Sequence, residues 1–89
     1  MTEKLLRQAI ADRRVIEFRY HGELRTVEPY RLGLDGGRVR LMGWQARKGW
    51  RSFYADDMED LELTSRTFLD PREGYVRGDD RMDRILAEV

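Results

Sequence analysis

Cysteine is absent from this 89-residue chain, and histidine occurs once. The first absence excludes a disulfide framework and any thiolate metal site, and it fits a reducing compartment. The second leaves His21 with no other imidazole to share a metal ion. No apolar run approaches the roughly 20 residues a bilayer-spanning helix needs. The opening MTEKLLRQAIADRR alternates acids and bases, which is wrong for a signal peptide. These absences predict a soluble, cytoplasmic protein with no membrane partner. Serine is confined to Ser52 and Ser65, and no nucleophile–base–orienter set can be read. The glycines Gly33, Gly36 and Gly37 punctuate a hairpin and do not form a phosphate-binding strand–helix turn. The acid pairs Asp56-Asp57 and Asp79-Asp80 read as turn and cap residues. No cofactor is expected, and the chain is expected not to be an enzyme.

Net charge is also absent: 17 basic residues balance 17 acidic ones, which argues against a general polyanion binder. The balance hides an asymmetry. Residues 1–54 hold 12 bases and 6 acids, whereas residues 55–89 hold 5 and 11. Only Lys4 and Lys48 among the bases are lysines. Arginine supplies a planar fork suited to carboxylate and phosphate, where lysine is a point charge; a high-GC genome also favours arginine without functional meaning.

The length suits one small domain with a thin core, which would gain from an oligomeric partner. Thr2 and Glu3 suit a helix start, and Leu5, Leu6, Ala9 and Ile10 recur at helical spacing, so a helix is expected over residues 3–13. Alternation and turn signals then give five short strands: residues 15–20, 24–34, 38–45, 50–54 and 60–64. Pro29 cannot donate to a ladder and marks an edge, bulge or bend within the second strand. Asp35-Gly36-Gly37 is a hairpin signal. A second short helix is expected over residues 80–88, with Met82, Ile85, Leu86 and Val89 on one side. Evenly spaced short strands indicate a small all-β barrel or sandwich, and closure would remove exposed edges.

The stretch from Ala9 to Phe68 resembles the WYL domain. The similarity rests on Ala9-Ile10, Arg14, Tyr20, Arg25, Val27 with Glu28-Pro29, Gly37, Val39-Arg40-Leu41 and Arg51-Ser52-Phe53, in that order and spacing. The resemblance implies a mainly β, five-stranded SH3-like (Sm-like) barrel. The short helices lie at its two ends: a WYL-like unit over residues 1–68 and a C-terminal extension over 69–89. It also implies a ligand-sensing regulatory domain, with nucleotides or nucleic acid as favoured ligands, in transcriptional or phage-defence and CRISPR-associated regulation. Two departures stand out. Val39 and Arg40 replace the name-giving Trp and Tyr, and Asp57 stands where a second Arg is usual.

The candidate ligand-binding residues are Arg25, Arg51, Arg40, Tyr20 and Tyr30. Arg25 and Arg51 match the family arginines, and each shares strand parity with an apolar residue, Val27 and Phe53. A charge on a half-apolar face needs a partner or a ligand. Anion binding is one reading; an internal ion pair with Glu17 or Glu28 is the other. Arg40 either joins that groove or sits on a solvated face. Tyr20 and Tyr30 either supply stacking faces for nucleotides or single-stranded nucleic acid, or pack in the core. Arg31 and Arg38, at the hairpin tip, are expected to be solvated. Trp44 and Trp50 are expected to pack across their hairpin. A second functional reading is a protein-interaction or homo-oligomerisation module with no small ligand.

Overall fold

The computed structural model describes residues 2–69, 71–77 and 82–89. The first helix, α1 (Thr2–Asp12), turns Leu6, Ala9 and Ile10 inward. Five strands follow as expected: β1 (Arg14–Tyr20), β2 (Glu23–Asp35), β3 (Arg38–Gln45), β4 (Gly49–Tyr54) and β5 (Met58–Thr67). A single 3₁₀ turn, Ala55–Asp57, joins β4 to β5. The strands form one antiparallel sheet in the order β4-β3-β2-β1-β5. It curls into the expected Sm-like barrel, left open because β4 and β5 end the path without pairing. The Tyr20 hydroxyl spans part of that gap by accepting the Tyr54 N–H at 3.0 Å.

Turn chemistry sets the registers. His21 and Gly22 take positive φ of 50° and 83°, and Gly36 and Gly37 take 60° and 82°. Two successive left-handed residues give the tight hairpin whose twist matches the flanking strands. The β2–β3 ladder runs from Val27↔Gln45 to Asp35↔Arg38 and slips between Pro29 and Arg31. Pro29 brings no N–H to the ladder, and the slip leaves Tyr30 as an extra residue, a β-bulge. Before the bulge, Val27 points to the barrel core; after it, Leu32 does. Tyr30 itself enters a second cluster.

Two cores result. The barrel core gathers Leu6, Ile10, Ile16, Phe18, Tyr20, Val27, Leu32, Leu41 and Phe53 beneath α1. On the opposite face of β2 and β3, Val15, Tyr30 and Phe68 are buried, with Met42, Trp44, Trp50 and Tyr75 packed against them. Phe68 stacks on Tyr30 with ring centroids 5.1 Å apart, and Trp44 meets Trp50 edge to face at 5.5 Å, the expected cross-hairpin contact.

The expected C-terminal helix is corrected. Residues 80 and 81 lie outside the described residues, but Arg84–Glu88 form a sixth strand, β6, antiparallel to β2. Its register runs from Arg31↔Glu88 to Leu34↔Arg84. β1 pairs β2 only from Glu23 to Val27, so the second half of β2 has a free edge. Satisfying that edge outweighs a short apolar pattern with no tertiary partner for a helix.

A candidate anion site on the inner face of the barrel

Arg25 stands opposite Phe18 on β1 and faces inward. Its guanidinium carbon lies 5.8 Å from the ring centroids of both Tyr20 and Phe53. Nη2 meets Glu23 at 3.0 Å, and Nη1 donates to the Gln45 side-chain carbonyl at 3.4 Å. Nε is buried and has no acceptor. The internal partner of Arg25 is therefore Glu23, neither Glu17 nor Glu28. That partner is mostly exposed, with 68% of its side-chain surface accessible against 17% for Arg25. An exposed, screened pair is weakly held.

Arg51 pairs across β3–β4 with Gly43, two residues from Gln45 and two from Phe53. Parity puts it on the same face as Arg25. It is exposed, and its guanidinium has no acceptor among the described residues. Gly43 opposite it has no side chain, because β2 passes too close: an added Cβ would lie 2.5 Å from the Glu28 carbonyl oxygen. So Arg25 and Arg51 flank Phe53, with Tyr20 and Gln45 alongside. Among the described residues Arg51 keeps an unused guanidinium, and the outer nitrogens of Arg25 are held only by Glu23 and Gln45. Such forks bind carboxylate or phosphate through charge-assisted hydrogen bonds.

The other two candidates are not brought there. Arg40 pairs with Tyr54 and Gly33, on the opposite face of β3. Its Nη1 donates to Ser52 Oγ at 2.9 Å, and its Nε lies 3.0 Å from an Asp35 oxygen. That contact is an ion pair without hydrogen-bond alignment, since Arg40 Nε lacks an acceptor. Asp35 also accepts the Tyr54 hydroxyl at 3.2 Å. Tyr30 is fully buried in the second core. Its hydroxyl donates to Glu28 at 3.1 Å and accepts the Arg72 N–H at 2.9 Å. Burial, and then the Glu28 carboxylate, push its pKa up to about 12 against the opposing Arg72 N–H.

The expectation of a solvated Arg31 is corrected. Arg31 is 3% exposed. It pairs with Glu88 at 3.2 Å, donates to the Val76 carbonyl at 2.7 Å and lies 5.1 Å from the Tyr75 ring centroid. The bulge at Tyr30 and the chain from Phe68 onward bury it. Arg38 is half-exposed, forked onto Asp56 and Asp57 at 2.7 and 3.1 Å, with its guanidinium 3.8 Å from the Tyr54 ring centroid. Sequence reasoning missed Gln45 and Glu23; the parity of Gln45 with Leu41 and its place beside the β3–β4 turn were the available signals.

Among the described residues no cluster of three or more His, Asp or Glu could hold a metal ion. No helix there is long and apolar enough to cross a membrane. No curated protein matches the chain. Among solved structures, proteasome accessory factor B/C (PafBC) of Arthrobacter aurescens is similar, with a TM-score of 0.73 and 26% identity over 85% of this chain. The chain spans 13% of the length of that protein. The sequence model of the WYL domain matches residues 2–63, from α1 into β5. The chain belongs to the WYL domain family.

Proposed function

We propose that this chain is a non-enzymatic, ligand-sensing regulatory domain that binds a phosphate-bearing ligand, a nucleotide or a short single-stranded nucleic acid, through Arg25 and Arg51. Family membership supports the regulatory, sensing part of this reading. The observation that carries the ligand class is Arg51, whose guanidinium has no acceptor among the described residues, on the same inner face as Arg25 beside Phe53. An incoming phosphate would take over the guanidinium of Arg25 from the exposed Glu23 carboxylate. Tyr20 would keep the fork oriented from below. Arg40, on the other face, serves the Asp35–Tyr54–Ser52 network instead.

The test is binding of a nucleoside monophosphate and of a short single-stranded oligonucleotide by calorimetry. Arg25→Ala and Arg51→Ala should each weaken binding about tenfold or more, corresponding to roughly 1–3 kcal/mol for a lost hydrogen bond to a charged group. Arg38→Ala should change it little. Equal binding by all three variants would reject the groove. Oligonucleotide affinity should also fall steeply with salt, because phosphate contacts release counterions.

A second reading is favoured by a separate observation. The unpaired β4 and β5 edges differ in charge: exposed Arg47, Lys48 and Arg51 on or beside β4, exposed Glu59, Asp60 and Glu62 on β5. A homo-oligomer or protein partner could pair with either edge. Light scattering that gives a clean monomer at high micromolar concentration would remove it.

A further inference from the structure

We infer that the outer face of the sheet carries a second binding site, separate from the Arg25–Arg51 groove, for a small planar ring bearing one anionic group. The site is a slot of about 120 Å³ lined by Val15, Thr26, Glu28, Trp44, Ala46, Arg66 and Arg72. This is somewhat less than the cavity of about 150 Å³ that encloses a benzene ring, so a single ring would enter with one edge and its substituent left in solvent.

Its walls have distinct roles. Trp44 and Val15 form an apolar floor; Val15 is buried and Trp44 half-buried. Arg72 lies 5.1 Å from the Trp44 ring centroid. It is locked in a fork onto Glu28, Nε–Oε1 3.1 Å and Nη2–Oε2 2.9 Å. Glu28 accepts the Tyr30 hydroxyl as well, so its lone pairs are largely committed. It stabilises this wall and neutralises Arg72. The remaining charge is Arg66. It is exposed, and its guanidinium has no acceptor among the described residues. The slot therefore presents an aromatic floor, a fixed wall and, among the described residues, one cation without a counter-charge at its rim. A neutral ring lacks anything for Arg66 to hold, and a bare anion leaves the floor wet. A ring with a phosphate or carboxylate satisfies both.

The slot is independent of the groove by strand parity. Arg25 and Gln45 point inward, whereas Thr26, the next residue on β2, and Ala46, the first residue past β3, line the slot. The ladder itself separates the two sites, so each can be disabled without touching the other.

The test uses the full chain carrying Trp50→Phe, which leaves Trp44 as the only indole. Uridine 5′-monophosphate and benzoate are titrated separately, with uridine and inorganic phosphate as half-ligands, while the Trp44 indole N–H resonance is followed by NMR. At least one of the two ring-bearing anions should shift that resonance saturably, and whichever does identifies nucleotide or aromatic acid as the source. Each half-ligand should bind at least tenfold more weakly. Arg66→Ala should weaken the effective ligand about tenfold, and Arg25→Ala should leave the Trp44 titration unchanged. No shift with either anion would overturn the proposal. So would retention of affinity in Arg66→Ala, or loss in Arg25→Ala. Trp50→Phe is checked first for a native amide spectrum; if it unfolds, the titration is run in the parent chain with Trp44 assigned by its own substitution.

Discussion

Replacing Glu88 by glutamine should unlock the molecule at the point where β6 meets β2. The Arg31–Glu88 pair is nearly dry: 4% and 7% of the two side chains are accessible, with Nη2 and Oε2 3.2 Å apart. Removing one partner of a buried pair leaves the other charge uncompensated, typically at a cost of about 3–5 kcal/mol. Glutamine keeps one carbonyl acceptor, and Arg31 keeps the Val76 carbonyl at 2.7 Å. The lower end, about 3 kcal/mol, is therefore expected. A domain of this size is stable by roughly 4–13 kcal/mol at about 0.05–0.15 kcal/mol per residue, so the loss is a large fraction. At about 4–8 °C per kcal/mol, Tm should drop by about 12–24 °C. Urea unfolding followed by tryptophan fluorescence measures it. The double variant Arg31→Met/Glu88→Met removes both charges and should recover to within about 2 kcal/mol of the parent, the remainder reflecting the Tyr75 hydroxyl left without its Glu88 acceptor. A single variant within 0.5 kcal/mol of the parent, or a double variant no more stable than the single, would refute the reasoning.

Gly43→Ala would push a methyl to 2.5 Å from the Glu28 carbonyl oxygen and 2.6 Å from Val27 Cγ1. Backbone must move, so a loss at or above the usual 1–3 kcal/mol for overpacking is expected in chemical denaturation. Tyr30 should make the fold alkali-sensitive. Its folded pKa of about 12 lies above the unfolded 10, so the native state holds a proton the unfolded chain releases. That stability is complete below pH 10 and is lost as pH rises towards 12. Tyr75 moves in the same direction, through burial first and the Glu88 carboxylate next. Tyr30→Phe should remove its own share of the decline in a pH series of urea midpoints and leave the share that Tyr75 supplies. Arg40→Ala should leave nucleotide binding within about twofold in calorimetry, since it serves the far face; a tenfold loss would place it in the groove after all.

What the sequence made legible was local. Alternation in VIEFRY, the Gly-Gly turn and the helical spacing of Leu6, Ala9 and Ile10 each depend on residues within a few positions, and α1 through β5 formed where they pointed. Pro29 announced an edge, a bulge or a bend, but not which of them, nor what the bulge would do. The fate of Arg31 depends on a partner 57 positions away, and nothing near it in the chain signals that. The same distance hid β6: Ile85 and Leu86 look helical until the free edge of β2 is known to need covering. At the site, parity aligned Arg25 with Val27 and Arg51 with Phe53, and both lie in regular ladder; that the two share one groove came from the family pattern, not from parity. The side taken by Arg40 stayed open in the sequence, and its pairing with Gly33 and Tyr54 puts it on the opposite face. Tyr30 was unreadable, since a residue in a bulge obeys neither parity.

The late arrival of β6 has a consequence for the order of assembly. Residues 84–88 cover a strand edge laid down at 31–34. During synthesis, β1 to β3 can fold while that edge, with the arginine that will be buried there, still faces water. For that interval the nascent sheet carries its own vacancy, open to any other extended chain nearby. Slow translation or early termination between β5 and β6 should therefore raise aggregation far more than slow translation before β1, an effect of timing that equilibrium stability would not register.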